Sequence, residues 1–321
     1  MKNIENLLSQ IEINIKNRNY TKIITISNKI LSIESNNKKA YYYKASAEYN
    51  LMQYKEAIED YSKLINLKSK DYRAYYFRGA SKYNLQQYEE AVKDFKKVLK
   101  LDSNCKEAYI YMGNIYDALK KYQNSIKYYT KAIEIDPKYA GAYYSRGKVY
   151  SIIKKYKDSI KDYNKAIELN PNEYYAYFGL GSNEMSLKNY KEAIKNYTKA
   201  IKLKPDNASS YYNRGCVYNK IKQYKKALKD FYKTIELNPN HIKVYGSIGN
   251  VNFSLNKYEE AIKNYNNVLK LNPHDANAYF SIAACYKKLN QTKKMNINLK
   301  KALQLDPEIK NKDYYKENFA K

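Results

Sequence analysis

The chain has 321 residues, which is longer than a single globular domain usually is. Its 59 Lys and Arg residues against 32 Asp and Glu give a formal net charge of +27, which favours an acidic protein or a nucleic acid as partner. The 3 cysteines, Cys105, Cys216 and Cys285, are an odd and scattered set, which argues against a disulfide framework and favours a reducing compartment.

A period of 34 residues runs through the sequence. Tyrosine recurs at this interval at Tyr20, Tyr54, Tyr88, Tyr122, Tyr156, Tyr190, Tyr224 and Tyr258. All 6 prolines keep the same interval, at Pro137, Pro171, Pro205, Pro239, Pro273 and Pro307. A fixed period of this length indicates a stack of repeated structural units.

One repeat, numbered here from position 1 at Ala140 to position 34 at Glu173, predicts a pair of helices. Positions 4, 8 and 11 hold Tyr143, Gly147 and Tyr150, a helical spacing that indicates a first helix. A short basic break and a second apolar stripe follow, and Pro171 then ends the second helix. Each repeat is therefore predicted to be a helix, a turn and a second helix that ends before the proline.

A glycine within the first helix predicts a close approach between the two helices. Gly147 costs about 1 kcal/mol against alanine at such a position. We expect the second helix to pack against it, with Ala166 as the facing small residue.

The pattern resembles the tetratricopeptide repeat (TPR) family, which has an aromatic residue at position 4, Gly or Ala at 8, Tyr at 11, Ala at 20, an aromatic residue at 24, Ala at 27 and Pro at 32. The repeat that begins at Tyr174 has Tyr177, Gly181, Ala193, Tyr197, Ala200 and Pro205 at the matching places and departs at Glu184. The resemblance implies an all-α fold, a right-handed α-solenoid of about nine 34-residue helix-turn-helix units with a C-terminal capping helix.

In chain order, the N-terminal residues lack a basic start followed by a long apolar run, so we expect no signal peptide, no transmembrane helix and a cytoplasmic protein. A single solenoid is predicted over residues 1–321. Its repeats are a degenerate first one at 4–37, then 38–71, 72–105, 106–139, 140–173, 174–207, 208–241 and 242–275, a divergent one at 276–309 and a cap at 310–321.

The resemblance also implies where a partner binds, because first helices of TPR proteins line a concave groove that takes an extended peptide or a helix. Positions 5, 6 and 9 of the pattern give the predicted lining: Tyr42, Tyr43, Tyr76, Phe77, Tyr111, Asn114, Tyr144, Phe178, Tyr212, Asn213, Asn250 and Phe280. Tyrosine offers apolar area with a hydroxyl group, which suits peptide contact. The alternative for each tyrosine is packing between neighbouring first helices.

Chaperone-binding TPR proteins grip a C-terminal carboxylate with Lys at 5 and Asn at 9, Asn at 6, then Lys at 2 and Arg at 6 of three successive repeats. Asn213 and Lys243 match two of these places. Phe178, Ser182 and Ser247 do not match the others, so no carboxylate clamp is predicted.

Positions 7 and 23 vary together. The same four repeats have a basic residue at 7 and an aspartate at 23, which gives the predicted structural ion pairs Lys44 with Asp60, Arg78 with Asp94, Arg146 with Asp162, and Arg214 with Asp230. A charge at a helix interface is costly without a partner, so we expect these residues to pair. The alternative is that the arginines capture an acidic ligand.

Neither catalytic nor cofactor-binding residues are predicted. The 2 histidines, His241 and His274, lie in turns, and no cluster has the spacing of a metal site or a nucleophile with its base. The sequence thus favours a non-catalytic scaffold or adaptor that binds a protein or peptide, with an acidic one among the candidates, and no membrane partner. The alternatives are a basic solenoid that associates with nucleic acid, although only 5 of its basic residues are arginine, and the regulatory subunit of an enzyme on another chain.

Overall fold

The computed structural model describes residues 2–67 and 71–311 together with Tyr315 and Phe319, and none of these residues lies in a β-strand. The α-helices of this part are α1 (Lys2–Lys16), α2 (Tyr20–Ile33), α3 (Lys38–Asn50), α4 (Tyr54–Asn66), α5 (Tyr72–Asn84), α6 (Tyr88–Leu101), α7 (Lys106–Ala118), α8 (Tyr122–Ile135), α9 (Ala140–Ile152), α10 (Tyr156–Leu169), α11 (Tyr174–Ser186), α12 (Tyr190–Leu203), α13 (Ala208–Lys220), α14 (Tyr224–Leu237), α15 (Ile242–Ser254), α16 (Tyr258–Leu271), α17 (Ala276–Lys288) and α18 (Thr292–Leu305). A 3-10 helix, Pro307–Asn311, follows. The helices form consecutive pairs, one for each predicted repeat, which confirms the all-α class and the α-solenoid.

The chain forms two compact units, Met1–Asn170 and Pro171–Lys321. Within each unit every helix packs against the next one along the chain. The odd-numbered helices also contact one another, from α3 to α9 in the first unit and from α11 to α15 in the second. First helices therefore lie side by side within a unit, and the arrangement of residues 1–321 as one solenoid stays a prediction.

The residues that mark the period also mark the helix ends. The recurring tyrosine is the first residue of eight second helices, from Tyr20 of α2 to Tyr258 of α16. Asn170 ends α10 in an extended conformation, with φ of −137°, because the following Pro171 disfavours helical dihedrals. Some first helices begin with a side-chain cap, since Asn37 accepts a hydrogen bond from the Ala40 amide at 2.9 Å.

The turn inside each repeat has a left-handed residue that is never a glycine in the described part of the chain. In the repeat 140–173 this residue is Lys154, with φ of 60°. The Lys155 amide donates to the Tyr150 carbonyl at 2.8 Å and the Lys154 amide to the Ser151 carbonyl at 3.0 Å, which is the Schellman pattern. For a residue other than glycine the left-handed conformation costs roughly 1 kcal/mol of backbone strain, and the two hydrogen bonds offset this cost.

The glycine of the first helix faces an aromatic ring. A Cβ atom added to Gly147 would lie 3.1 Å from Cδ1 of Tyr163, and at Gly249 it would lie 2.5 Å from Cε1 of Tyr265. The close approach predicted from the sequence therefore exists, but the nearest atoms belong to the aromatic residue at position 24. Ala166, the alanine expected to face Gly147, is buried but is not among the atoms nearest to that Cβ position.

The C-terminal residues cover part of the last repeat. Ile309 is fully buried, and the rings of Tyr315 and Phe319, both in helical conformation, lie 6.3 and 5.2 Å from the ring of Phe280. Residues 312–314, 316–318, 320 and 321 of the predicted cap lie outside the described residues. In the part of the chain that is described, no helix combines the length and the apolar character that crossing a bilayer demands.

Candidate functional site

The side chains at positions 5, 6, 9 and 12 of the odd-numbered helices, called here the first-helix face, carry all twelve residues predicted to line a groove. Ten of these residues are half-buried: Tyr42, Tyr43, Tyr76, Phe77, Tyr111, Asn114, Tyr144, Phe178, Tyr212 and Asn213. Asn250 is exposed, whereas Phe280 is only 5 % exposed because the C-terminal residues cover it. The predicted residues thus share one face within each unit, with Phe280 inside the fold.

An aromatic cluster occupies the first-helix face of the first unit. The ring of Tyr111 lies 5.7 Å from Tyr76, 5.3 Å from Tyr83 and 4.9 Å from Phe95, edge-on to the first two and stacked on the third. Burial raises the pKa of Tyr76 and of Tyr111. Both phenols therefore stay neutral and act as hydrogen-bonding groups with apolar rings.

The aromatic residues at position 6 have a packing role. Phe77 stacks on Tyr61 of the preceding second helix, with centroids 5.9 Å apart and an interplanar angle of 11°. Tyr111 stacks on Phe95 in the same way, at 13°. These two rings stabilise the junction between repeats, so the contact surface left for a partner is formed mainly by position 5, as at Tyr76.

The first unit also has an ion pair on this face. Lys148 at position 9 lies 2.7 Å from Asp117 at position 12 of the preceding repeat. Tyr144 packs beside Tyr163, with centroids 5.9 Å apart. The face is therefore locally neutral despite the basic composition of the chain.

The second unit has fewer aromatic contacts on the same face. Phe178 lies edge-on to Tyr197 at 5.7 Å, and Tyr212 packs against His241 at 4.6 Å and Phe231 at 5.9 Å. Asn213 is half-buried beside Tyr212. The surface here is more polar than that of the first unit.

A hollow lies between α15 and α17 in the second unit. One cavity of about 300 Å³ is lined by Asn250, Phe253, Tyr265, Asn277, Phe280, Ser281 and Ala284. A neighbouring cavity of about 190 Å³ includes Gly246. Gly246 stands at position 5, where Tyr212 and Phe280 occupy the flanking repeats, and a Cβ atom there would meet only Val268, at 3.9 Å. The absent side chain thus opens the hollow.

Asn250 is the polar group at the floor of this hollow. Its Oδ1 accepts a hydrogen bond from the Tyr265 hydroxyl at 2.7 Å. This contact orients the side-chain amide, so its NH₂ group can donate to a carbonyl oxygen of a bound chain. Asn114 has the same arrangement with Tyr129, at 2.6 Å, in the first unit.

Four repeats hold the basic residue of position 7 against the aspartate of position 23. Arg146 donates from Nε to Asp162 Oδ2 at 2.7 Å and from Nη2 to Oδ1 at 2.8 Å. The other pairs join Arg78 to Asp94, Arg214 to Asp230 and Lys44 to Asp60. Asp162 is only 3 % exposed, so its charge depends on the guanidinium group.

Each arginine also bonds the preceding repeat, a contact that our reading of the sequence missed. Arg146 Nη1 donates to Thr130 Oγ1 at 2.9 Å, which joins three helices through one side chain. Ser62 and Thr198 take the same place beside Arg78 and Arg214. The signal was present in the sequence, because the four repeats that precede one with an apolar residue at position 7 have no Ser or Thr at this place. They have Lys96, Asn164, Tyr232 and Asn266.

The repeats consequently alternate in two types. Those at 72–105, 140–173 and 208–241 contain the arginine and the aspartate. Those at 106–139, 174–207 and 242–275 have an apolar residue at position 7, and a polar residue at position 9 that is hydrogen-bonded to the tyrosine hydroxyl of position 24. The structural period is therefore two repeats.

The repeat 38–71 has a second carboxyl group beside its ion pair. Glu48 is 4 % exposed and lies 3.7 Å from Lys44, and it faces Asp60. Burial, followed by the charge of Asp60, raises the pKa of Glu48 from its ordinary 4.5 to about 7. Protonation of the Glu48 carboxyl group therefore stabilises the folded state.

We expect the first unit to lose stability as the pH rises from about 5 to 8. The folded-state pKa lies above that of the unfolded chain, so the contribution is complete below pH 4.5 and is lost as the pH passes through about 7. The loss should be about 2 kcal/mol, measured as a fall in the urea midpoint. Glu48→Gln should remove this dependence, and an unchanged slope in that variant would contradict the assignment to Glu48.

The three cysteines remain apart. Cys105 and Cys285 are buried, Cys216 is half-buried, and all three are free thiols. Burial raises the pKa of Cys285 to about 12. Among the described residues, no group of three His, Cys, Asp or Glu side chains could hold a metal ion.

The solved structures most useful for comparison are repeat proteins. The C-terminal part of a TPR repeat-containing protein from Cytophaga hutchinsonii is 21 % identical, with a TM-score of 0.65, over 75 % of this chain and 99 % of that one. YrrB, described as a TPR protein with an unusual peptide-binding site, is 27 % identical, with a TM-score of 0.50, over 56 % of this chain and 92 % of that one. The MamA protein is 27 % identical, with a TM-score of 0.50, over 54 % of this chain and 94 % of that one.

No curated protein matches the chain. Family profiles do match it over more than half its length. The profiles described as tetratricopeptide repeat match residues 72–105, 107–139, 140–173, 208–241 and 276–309, and one described as TPR repeat matches 183–222 and 249–290. With its paired helices and recurring residues, the chain belongs to the tetratricopeptide repeat family, whose members serve as scaffolds for protein–protein interactions.

Proposed function

We propose that the protein is a non-catalytic scaffold whose first-helix face binds an extended peptide or a helix of a partner protein. The observation that carries this proposal is the hollow around Gly246 and Asn250. It combines apolar walls with an oriented amide, the combination that a peptide side chain and its neighbouring carbonyl oxygen need. The free, dispersed cysteines support a reducing, cytoplasmic location.

The first unit offers a second contact region of different character. Tyr42 and Tyr76 at position 5 are half-buried, so part of each ring stays accessible. Rigid aromatic rings bind apolar side chains at a small cost in conformational entropy. Each unit therefore supplies its own contacts on the first-helix face.

Filling the hollow should weaken peptide binding. Peptides selected from a random display library on the full chain would be measured by isothermal titration calorimetry against wild type and Gly246→Tyr. The tyrosine ring would occupy the space that the bound side chain needs, so we expect the affinity to fall at least about tenfold. The fold should tolerate the change, since flanking repeats have Tyr212 and Phe280 at this position.

Gly246→Ala is the matched control. Its Cβ atom meets only Val268, at 3.9 Å, and leaves most of the hollow empty. We expect this variant to bind the selected peptides within about twofold of wild type. If the peptides bind Gly246→Tyr as tightly as wild type, or if selection yields no peptide, the proposal is wrong.

A further inference from the structure

Two clefts of matching composition, one in each unit, are lined by residues at repeat positions outside the first-helix face. The first, of about 510 Å³, is lined chiefly by Tyr143, Arg146, Lys161, Asp162, Lys165 and Glu168 in the first unit. The second, also of about 510 Å³, is lined chiefly by Tyr211, Arg214, Lys229, Asp230, Lys233 and Glu236 in the second unit. These six residues of the first cleft recur two repeats later in the second, so this is a repeated local structure.

The arginine of each cleft already uses three of its five N–H donors within the fold. Arg146 gives its Nε and Nη2 protons to Asp162 and an Nη1 proton to Thr130. Its guanidinium also lies over the rings of Tyr143, at 5.8 Å, and Tyr150, at 6.0 Å. The arginine therefore positions the aspartate and the tyrosine that form the cleft wall, and it leaves little capacity to grip a ligand.

The free positive charge comes from one lysine per cleft. Lys165 lies 2.5 Å from Glu168, and Lys233 pairs with Glu236 in the second cleft. Lys161 and Lys229 are exposed, and no described carboxylate lies within 4.0 Å of either one. An ammonium group beside an aromatic wall is thus open to an anion in each cleft.

The same lysine position recurs in further repeats. Position 22 is an exposed lysine in six successive repeats: Lys93, Lys127, Lys161, Lys195, Lys229 and Lys263. Only Lys93, Lys161 and Lys229 stand in repeats with the arginine and aspartate. In the repeat 72–105, Arg78 and Lys97 lie 5.7 and 5.9 Å from the ring of Tyr75, and Lys100 stands where the two clefts have Glu168 and Glu236.

We propose that each cleft docks an acidic segment of a partner protein, with a carboxylate of the segment on the free lysine of that cleft. Lysine supplies a point charge, which suits single carboxylates and gives little sequence readout of nucleic acid. The tyrosine beside it can contact the aliphatic part of a glutamate side chain. The cleft residues stand at other positions of the repeat than those of the first-helix face.

The test uses the full chain and a fluorescein-labelled peptide of about twenty residues in which glutamate alternates with serine. Binding is measured by fluorescence anisotropy at physiological salt, which screens long-range electrostatic attraction. The variant Lys93/Lys161/Lys229→Gln removes the three lysines that stand beside an arginine–aspartate pair. We expect it to bind the peptide about tenfold more weakly than wild type.

The control variant, Lys127/Lys195/Lys263→Gln, removes the same charge from the same helical position in the other repeats. It should weaken binding by about twofold at most. Equal losses in the two variants would show attraction by the general field and overturn the proposal, as would failure of wild type to bind the peptide. Tighter binding of a labelled oligouridylate of equal charge would overturn it in favour of nucleic acid.

Discussion

Replacing Asp162 by asparagine is expected to lower the free energy of unfolding of the first unit by about 3 kcal/mol. The carboxylate is almost fully buried and receives two hydrogen bonds from Arg146, so its loss leaves a guanidinium charge without compensation at a helix interface. Urea unfolding followed by circular dichroism measures the change. The affinity for peptides selected on the first-helix face should remain the same, because Asp162 lies away from that face.

The neighbouring repeat provides the matched control for this substitution. Positions 7 and 23 are Leu180 and Asn196 there, a natural solution without charge. The double variant Arg146→Leu with Asp162→Asn copies it and should be more stable than Asp162→Asn alone. If the double variant is the less stable of the two, the unpaired charge of Arg146 is not the reason why Asp162→Asn destabilises the repeat.

Replacing Gly249 by alanine is expected to lower the free energy of unfolding of the second unit by about 2 kcal/mol. The added Cβ atom would lie 2.5 Å from Cε1 of Tyr265, far inside contact distance. Tyr265 is 4 % exposed and its hydroxyl donates to Asn250 at 2.7 Å, so a shift of the ring would break this hydrogen bond. Chemical denaturation of the variant beside wild type measures the loss.

The opposite change in stability is expected at Gly246, which lies in the same helix. Its Cβ atom would make only an ordinary contact, so Gly246→Ala should raise the stability by up to about 1 kcal/mol through helix propensity. The two substitutions are chemically identical and differ only in what the new methyl group meets. Shifts of the same sign in both variants would contradict the proposed role of the close approach.

The sequence was sufficient to predict the repeats and most of the helix ends. The proline period predicted where six of the nine repeats end, because proline cannot continue a helix, and the tyrosine period kept the register of the repeats. The correlated change at positions 7 and 23 likewise predicted that Arg146 faces Asp162. Both inferences depend on comparing repeats within one chain.

Other features could not be predicted because they depend on three-dimensional packing. The ring of Tyr163, and not Ala166, meets Gly147, since the angle between the helices decides which row of side chains is nearest. Lys154 adopts a left-handed conformation with no glycine to signal it. Phe280 fits the groove pattern by position, yet Tyr315 and Phe319 cover it. With 41 tyrosines in the chain, composition also hides which rings bind and which pack.

The alternation of two repeat types restricts how the chain can be shortened. Excision of residues 106–139 would put Lys96 in the place of Thr130 beside Arg146, so two cations would meet where a hydroxyl group now accepts a hydrogen bond. Excision of 72–139 would put Ser62 there and preserve the hydroxyl acceptor. In this stretch the smallest module that can be gained or lost without mismatched neighbours is therefore a block of four helices.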